Sequence, residues 1–217
     1  MEVHIFNQKR SVLNQYIAEL RDVDVQKDPM RFRRNLERIG EILGYEVSKT
    51  LAYNPVEITT PLGTASENLI ADKIVLGTIL RAGLTMHNGL LNYFDRAENA
   101  FISAYRKHED DGSFQIRVEY FASPSLEDKV LILSDPMLAT GKSMVLSYEA
   151  MLSHGTPKHT HIVAAIGSKE GIEYAKQNLP ENTTIWIAAV DDELNDKSYI
   201  IPGLGDAGDL AYGEKLG

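Results

Sequence analysis

The stretch "LILSDPMLATGKSM", residues 131–144, joins a short apolar run to an acidic residue and then to a small polar segment. A brief run of Leu and Ile bounded by turn residues is typical of a buried strand. A helical pattern opens near Ser143, so the segment predicts a strand ending at Asp135, a short loop and a helix. Strand–loop–helix units of this kind build α/β folds.

The same alternation extends over residues 73–192. Strands are predicted at 73–80, 99–107, 113–122, 129–134, 161–168 and 183–192, with a turn at 108–112. Helices are predicted at 11–22, 28–49, 84–94, 143–155 and 169–180. Apolar strands alternating with helices indicate an α/β fold with a mostly parallel central sheet flanked by helices. We expect one domain over 1–217, with an N-terminal helical segment and a small strand-rich hood or tail. The segment 197–217 is too Gly-rich for a helix or a central strand, so we predict a shaped loop there.

Composition excludes several classes of function. The 217 residues are 43% hydrophobic, include no cysteine and carry a net charge of −9. A chain without cysteine has no disulfide, no thiolate nucleophile and no Cys-ligated zinc. An acidic surface disfavours nucleic acid, and the apolar runs are too short to span a bilayer. The first residues lack the apolar core of a secretory signal, so we expect a cytoplasmic protein that binds neither nucleic acid nor membrane.

Gly-Lys-Ser at 141–143 raises the possibility of a nucleotide-binding P-loop. That motif needs another Gly five residues before the Gly of Gly-Lys-Ser, and Pro136 stands at that position. Proline has a fixed φ and no N–H to donate. The sequence therefore argues against an NTPase.

A helix N-terminus can still bind a phosphate monoester through its free N–H groups and dipole. Five residues could turn their N–H groups inward here: Ala139, Thr140, Gly141, Lys142 and Ser143. Asp135, at the strand end, could accept hydrogen bonds from the hydroxyls of a 5-phosphorylated ribose. An ordinary strand-to-helix turn with a capping Ser would have the same sequence, and the motif alone does not decide between the two.

The segment 130–144 closely resembles the phosphoribosyl diphosphate (PRPP) loop of the uracil phosphoribosyltransferase family, whose fold is of the type I phosphoribosyltransferases. "TILRAGL" (78–84) and "YIIPGLGDAGD" (199–209) resemble the same family, as do two shorter pieces at 60–63 and 170–172. The likeness runs in the family's order from about residue 60 to the C-terminus. Lys142 departs from the family, which often has a second Gly there, and its role stays open.

The resemblance implies the site residues. PRPP would be bound by Arg81, Arg106, Asp206 and the loop Asp135, Pro136, Met137, Leu138, Ala139, Thr140, Gly141, Lys142 and Ser143. Uracil would be bound by Ile200, Gly205, Asp206 and Ala207, largely through the backbone. The residues expected to carry catalysis are Arg81, Asp135 and Asp206, with the arginines on the diphosphate and the aspartates on the ribose and a metal-bound water.

The implied reaction transfers the 5-phosphoribosyl group of PRPP to N1 of uracil and yields UMP and diphosphate. Mg²⁺ is the implied cofactor, held mainly by PRPP, diphosphate and water, so no protein metal site is expected. A homo-oligomer, a dimer or larger, is also implied. Two alternatives stay open: transfer to another base, and a ligand-binding paralogue that senses UMP or PRPP without turnover. His159 and His161 share a strand face as metal ligands do, but no third ligand lies nearby in sequence, so we favour the start of a surface strand.

Overall fold

A mostly parallel sheet organises the chain. The computed structural model describes residues 1–108 and 114–215, with side chains described for all of these except 104–119. The strands are β1 (Glu2–Ile5), β2 (Tyr53–Thr60), β3 (Gly63–Ile70), β4 (Ile74–Leu80), β5 (Glu98–His108), β6 (Phe114–Ala122), β7 (Val130–Ser134), β8 (Met137–Leu138), β9 (His159–Ser168), β10 (Thr183–Asp191), β11 (Glu193–Leu194) and β12 (Ile200–Ile201). The helices are α1 (Val12–Arg21), α2 (Pro29–Ser48), α3 (Gly83–Tyr93), α4 (Lys142–Met151), α5 (Lys169–Asn178) and α6 (Ala207–Tyr212).

The main sheet has the strand order β1-β10-β9-β7-β4-β5-β6, and the short β8 also pairs with β9. Its neighbours run parallel except for β5 and β6, which are antiparallel. Strand β7 is buried along its whole length, as is all of β9 except its first residue. Burial on both faces is what an apolar run such as "VLILS" requires. The predicted α/β class and parallel sheet are confirmed.

Helices cover both faces of the sheet and divide the apolar core in two. On one face, α1, α2 and α3 pack against the sheet, and α2 buries an apolar stripe formed by Phe32, Leu36, Ile39 and Leu43. On the other face, α4 and α5 pack against β7, β9 and β10. Pro29 begins α2, and the carboxylate of Asp28 accepts the N–H groups of Met30 and Arg31, which explains where that helix starts.

Strand β1 and the hairpin of β2 and β3 were not predicted from the sequence. Strand β1 pairs in parallel with the far end of the chain, Glu2 opposite Thr184 in β10. Strands β2 and β3 form an antiparallel hairpin that pairs with neither edge of the main sheet. Its side chains are largely exposed, and Leu62 at its tip is fully exposed.

The prediction of a loop for the whole tail is wrong. Strand β12 pairs with β11, and α6 follows it. The helix forms because the carboxylate of Asp206 accepts the N–H of Asp209 at 3.0 Å, while Ala207 and Ala211 pack into the core. An N-terminal cap and two buried alanines outweigh the low helix propensity of Gly208.

The prediction that His159 and His161 begin a surface strand is wrong. Strand β9 lies between β7 and β10, and His161 is 3% exposed. The indole N–H of Trp186 donates to Nδ1 of His161 at 3.0 Å, and the two His rings lie 4.5 Å apart. Burial and the neighbouring His159 lower the pKa of His161 to about 3, so this imidazole is neutral.

The turn predicted at 108–112 falls largely on residues 109–113, which lie outside the described residues. Across the described residues, no helix combines the length and the apolar character that crossing a bilayer requires.

Candidate active site

A cleft lies beyond the carboxyl ends of β4 and β7. It is lined by Ile79, Leu80, Arg81, Ala82, Asp135, Ser143, Asp206, Gly208 and Lys215. The lining comes from three distant segments of the chain: the turn after β4, the turn after β7 and the C-terminal tail. Ligands of open α/β sheets bind at this edge, so the fold places these residues where a substrate is expected.

Asp135 follows β7 directly and is partly buried at the base of the cleft. Burial raises the pKa of its carboxyl to about 7, because a charged carboxylate loses hydration there. The N–H of Met137 donates to Oδ1 at 3.2 Å and acts in the opposite direction, while the negative charge of Asp206 raises the pKa further. The cleft thus holds two carboxyls that favour a positive charge or a hydrogen-bond donor between them.

The loop after Asp135 is anchored to the sheet before it reaches α4. Met137 and Leu138 form β8 beside Ile166 and Gly167 of β9, and the Leu138 side chain is buried in the core. Pro136 is also buried, and its carbonyl accepts the N–H groups of Ala165 and Ile166. These residues shape the loop rather than line the cleft.

The loop enters α4 through Gly141, whose φ is +74°. A side chain there would be strained by that φ, and a Cβ would lie 2.6 Å from the carbonyl oxygen of Gly171. Helix α4 begins at Lys142, and the N–H groups of a first helical turn have no acceptor within their helix. Ser143 in that turn lines the cleft, so an anion there would meet donors and the positive end of the helix dipole.

Helix α5 braces this loop from behind. The hydroxyl of Ser168 donates to the carbonyl of Ala139 at 2.5 Å and accepts the N–H of Gly171 at 2.8 Å. A Cβ on Gly171 would lie 2.2 Å from the Ala139 oxygen and 2.5 Å from that of Leu138. The close approach requires glycine, and it explains why the segment at 170–172 matters to a loop thirty residues away in sequence.

Arg81 begins the turn after β4 and is joined to Leu80 by a cis peptide bond. Its guanidinium donates to Oδ1 of Asp209 at 2.8 Å and to the carbonyl of Gly213 at 3.2 Å. The side chain is 41% exposed and borders the cleft, so it can also meet an anion from solvent. The tail therefore binds Arg81, the residue that was predicted to bind PRPP.

The predicted site residues are only partly brought together. Arg81, Asp135, Ser143 and Asp206 line one cleft. Of the uracil candidates, Ile200 and Ala207 are buried in the core, and Gly205 is exposed with φ +94°. Arg106 lies on β5 among the residues whose side chains are not described.

Three cleft or tail residues were missed as site candidates. Asp209 stood within the quoted "GDAGD" and could have been found as a partner for Arg81, since an isolated Asp beside a predicted site is a common ion-pair partner. Gly208 also lay within that motif, whereas Lys215 lines the cleft without any sequence signal that distinguishes it from a surface residue. In the described part of the chain, no three His, Asp or Glu side chains cluster as a metal site would require.

Comparisons with known proteins show the family of this chain. The family model described as uracil phosphoribosyltransferase matches residues 7–214. A relative of that name from Porphyromonas gingivalis is 56% identical over 216 residues and all of both chains. Another from Methanothermobacter thermautotrophicus is 43% identical over 86% of this chain and 85% of its own.

Solved structures support the fold. A protein from Aquifex aeolicus superposes with a TM-score of 0.86 at 30% identity, covering 97% of this chain and 98% of its own. A hypoxanthine phosphoribosyltransferase from Staphylococcus aureus reaches a TM-score of 0.50 at 14% identity over 75% of this chain and 76% of its own, a likeness of fold alone. With a family match over nearly the whole chain and full-length relatives above half identity, the chain belongs to the uracil phosphoribosyltransferase family.

Proposed function

We propose that this chain transfers the 5-phosphoribosyl group of PRPP to N1 of uracil, forming UMP and diphosphate. One observation carries the proposal: a cation, two carboxyls and a helix N-terminus, from Arg81, Asp135, Asp206 and Ser143, surround one cleft in a chain of this family. A phosphorylated sugar with a diphosphate presents the matching groups, namely a diol, a monoester and a strongly anionic leaving group.

The loop Ala139–Ser143 would hold the 5-phosphate, because its glycine turn and helix N-terminus offer N–H donors without a competing carboxylate in the loop itself. Asp135 would accept hydrogen bonds from the ribose hydroxyls. Arg81 would bind the diphosphate as a bidentate donor after leaving Asp209. Arg106 is proposed for the diphosphate on the family resemblance.

Mg²⁺ fits this cleft. Asp135 and Asp206 are close enough for the charge of one to raise the pKa of the other, and a divalent cation or its water shell would relieve that repulsion. When bound, Mg²⁺ would neutralise charge on the diphosphate leaving group. Asp135 and Asp206 would hold its waters, while PRPP oxygens supply most direct contacts.

The chain's own groups would then act mainly by position and charge. The bond from C1 of the ribose to the diphosphate oxygen breaks, the bond from C1 to N1 of uracil forms, and the N1 proton passes to the departing diphosphate or to water. Positive charge develops at C1 in the transition state, where the Asp135 carboxylate is favourable, and Arg81 stabilises the departing diphosphate. The tail at Ile200, Gly205, Asp206 and Ala207 would hold the base through backbone N–H and carbonyl groups.

A diphosphate-release assay tests the reaction. Purified protein, PRPP and Mg²⁺ are offered uracil, cytosine, orotate, adenine, guanine or hypoxanthine, with the nucleotide identified by mass. Release with uracil alone supports the proposal. Release with another base contradicts the assignment of the tail, and saturable binding of PRPP or UMP without release favours a ligand-binding paralogue.

A variant pair tests the phosphate loop. Gly141→Val combines a disfavoured φ with a clash at the Gly171 carbonyl and should weaken PRPP binding strongly. Gly63→Val is the matched control, because no atom lies within 4 Å of the Cβ position at Gly63 and its φ is ordinary. Equal PRPP affinity in the two variants would contradict the role of the loop.

We also propose a homo-oligomer in the cytoplasm. The hairpin of β2 and β3 supports assembly, because a lone two-stranded hairpin is marginal in water and this one exposes Val56, Ile58, Leu62 and Leu69. The lack of cysteine is compatible with a cytoplasmic and with an extracellular protein, so it does not decide the compartment. Analytical ultracentrifugation tests assembly, and a monomer at micromolar concentration would contradict it.

A further inference from the structure

An ion pair outside the cleft joins the first helix to the end of the last long strand. Arg21 is the final residue of α1, and Asp191 is the final residue of β10. The guanidinium donates to both carboxylate oxygens of Asp191, at 2.7 and 2.8 Å. The Asp191 side chain is 8% exposed, so its carboxylate is shielded from water.

The same two side chains bind both backbone groups of Gly203. The N–H of Gly203 donates to Oδ2 of Asp191 at 3.0 Å, and its carbonyl accepts from Nη1 of Arg21 at 3.1 Å. One glycine is thus held from both sides by a bidentate ion pair. Gly203 has φ +55° and a Cβ there would lie 2.1 Å from the carbonyl oxygen of Ile200, so other residues would not fit.

This glycine lies in the middle of the loop 202–205, between β12 and α6. Strand and helix hydrogen bonds fix the backbone of β12 and α6. The loop between them contains a Pro and two Gly residues, so it needs contacts with other parts of the chain to adopt one conformation. Leu204 is buried and anchors one point of it. The Arg21–Asp191 pair fixes the neighbouring point, two residues before Gly205.

The position of Gly203 sets the positions of Gly205 and Asp206. Asp206 caps α6 and lines the cleft beside Asp135, so a shift of the loop would be transmitted to that edge. Because both polar groups of Gly203 are already used, the base must be bound by other groups of the tail. A buried ion pair is costly to desolvate and is a weak source of stability, which favours a positioning role.

We propose that Arg21 and Asp191 form a clamp that positions the base-binding loop 202–205 and so determines the affinity for uracil. The inference rests on the proposed function. Neither residue is among those that line the cleft, so both are positioning residues. The clamp acts on the base side of the cleft and leaves the phosphate loop at 139–143 unchanged.

Steady-state kinetics of two variants test the clamp. Asp191→Asn keeps the shape but removes the charge, and Arg21→Lys keeps the charge but loses the fork that reaches Asp191 and Gly203 together. We expect the KM for uracil to rise about tenfold or more, an effect of a lost charge-assisted contact, and the KM for PRPP to rise several-fold less, because most of the proposed PRPP contacts lie outside the tail. Arg31→Lys is the control, because Arg31 also pairs with a carboxylate, Glu19 at 3.4 Å, but its side chain is about half exposed and makes no hydrogen bond to the described residues of the tail.

A merely structural pair would give a different result. Lower thermal stability or a lower active fraction, with both KM values equal to those of the control, would overturn the clamp, as would equal increases in both KM values. If Asp191→Asn does not fold, Arg21→Lys decides alone. Wild-type protein that forms no UMP would refute the proposed function, whereas active wild-type protein with an unchanged uracil KM in Arg21→Lys would refute only the clamp.

Discussion

Replacing Asp135 by Asn should stabilise the ligand-free protein while lowering its activity. The carboxyl has a pKa of about 7 in the folded chain against 3.8 in its ordinary state. The folded state therefore holds this proton more tightly than the unfolded chain does. Stability is lost as the pH rises between about 4 and 7, because burying the charged form is unfavourable.

The size of the effect follows from the two pKa values. Between about pH 5 and pH 8, ionisation of Asp135 should remove roughly 2 to 3 kcal/mol of unfolding free energy. The Asn variant lacks this ionisation, and its amide oxygen can still accept the N–H of Met137. The stability advantage of Asp135→Asn over wild type should therefore grow by about that amount from pH 5 to pH 8.

Urea unfolding at both pH values measures this difference, with Asp192→Asn as control. Asp192 is exposed beside Lys169, so its replacement should change stability by less than about 0.5 kcal/mol at either pH. Turnover should fall about 10- to 100-fold in Asp135→Asn, since a charge-assisted hydrogen bond to the ribose is lost. A variant whose advantage does not change with pH would refute the burial argument, and one with full turnover would refute the role on the ribose.

Two further predictions concern residues behind the cleft. Gly171→Ala should cost about 1 to 3 kcal/mol of stability and raise the KM for PRPP, because its Cβ would displace Ala139 in the phosphate loop. Gly63→Ala should do neither. Equal thermal melts and PRPP titrations of the two variants would contradict the role of α5 as a brace for the loop. Below its ordinary pKa of 6.5, His161 should destabilise the fold, because the unfolded chain binds that proton more readily; the loss from about pH 7 to pH 5 is roughly 2 kcal/mol. Denaturant unfolding of His161→Gln against wild type checks the sign, and a variant with the same pH dependence as wild type would exclude this histidine as the cause.

The fold could be predicted from the sequence wherever an element has its own period and its own boundaries. The strand ending at Asp135 and the helix over 28–49 are of this kind, because apolar runs and a Pro with a preceding Asp set them locally. Strand β1 and the hairpin of β2 and β3 were missed. Four residues at an edge carry too little pattern, and a hairpin with two exposed faces has no buried face to produce alternation.

The site divides in the same way. Residues within a motif, such as Asp135 and Asp206, were found because the motif names them. The pairs Arg81–Asp209 and Arg21–Asp191 join residues more than a hundred positions apart. Arg81 and Asp209 each lie within a motif, but nothing in the sequence marks Arg21 and Asp191 as partners. The helix at 207–212 was missed because its stabilisation comes from tertiary burial of two alanines rather than from propensity.

The pairing of β1 with β10 sets a condition on how the protein is made. The chain grows from its N-terminus at about 5 to 20 residues per second. Strand β1 therefore has no partner until Thr184 and the rest of β10 have been synthesised. Arg21 likewise has neither of its hydrogen-bond partners until Asp191 and Gly203 have been synthesised. A nascent chain from which residues 184–208 have not yet emerged can therefore complete neither its sheet nor its cleft. Any variant that slows this final closure prolongs the time during which an unpaired sheet edge is open to other nascent chains.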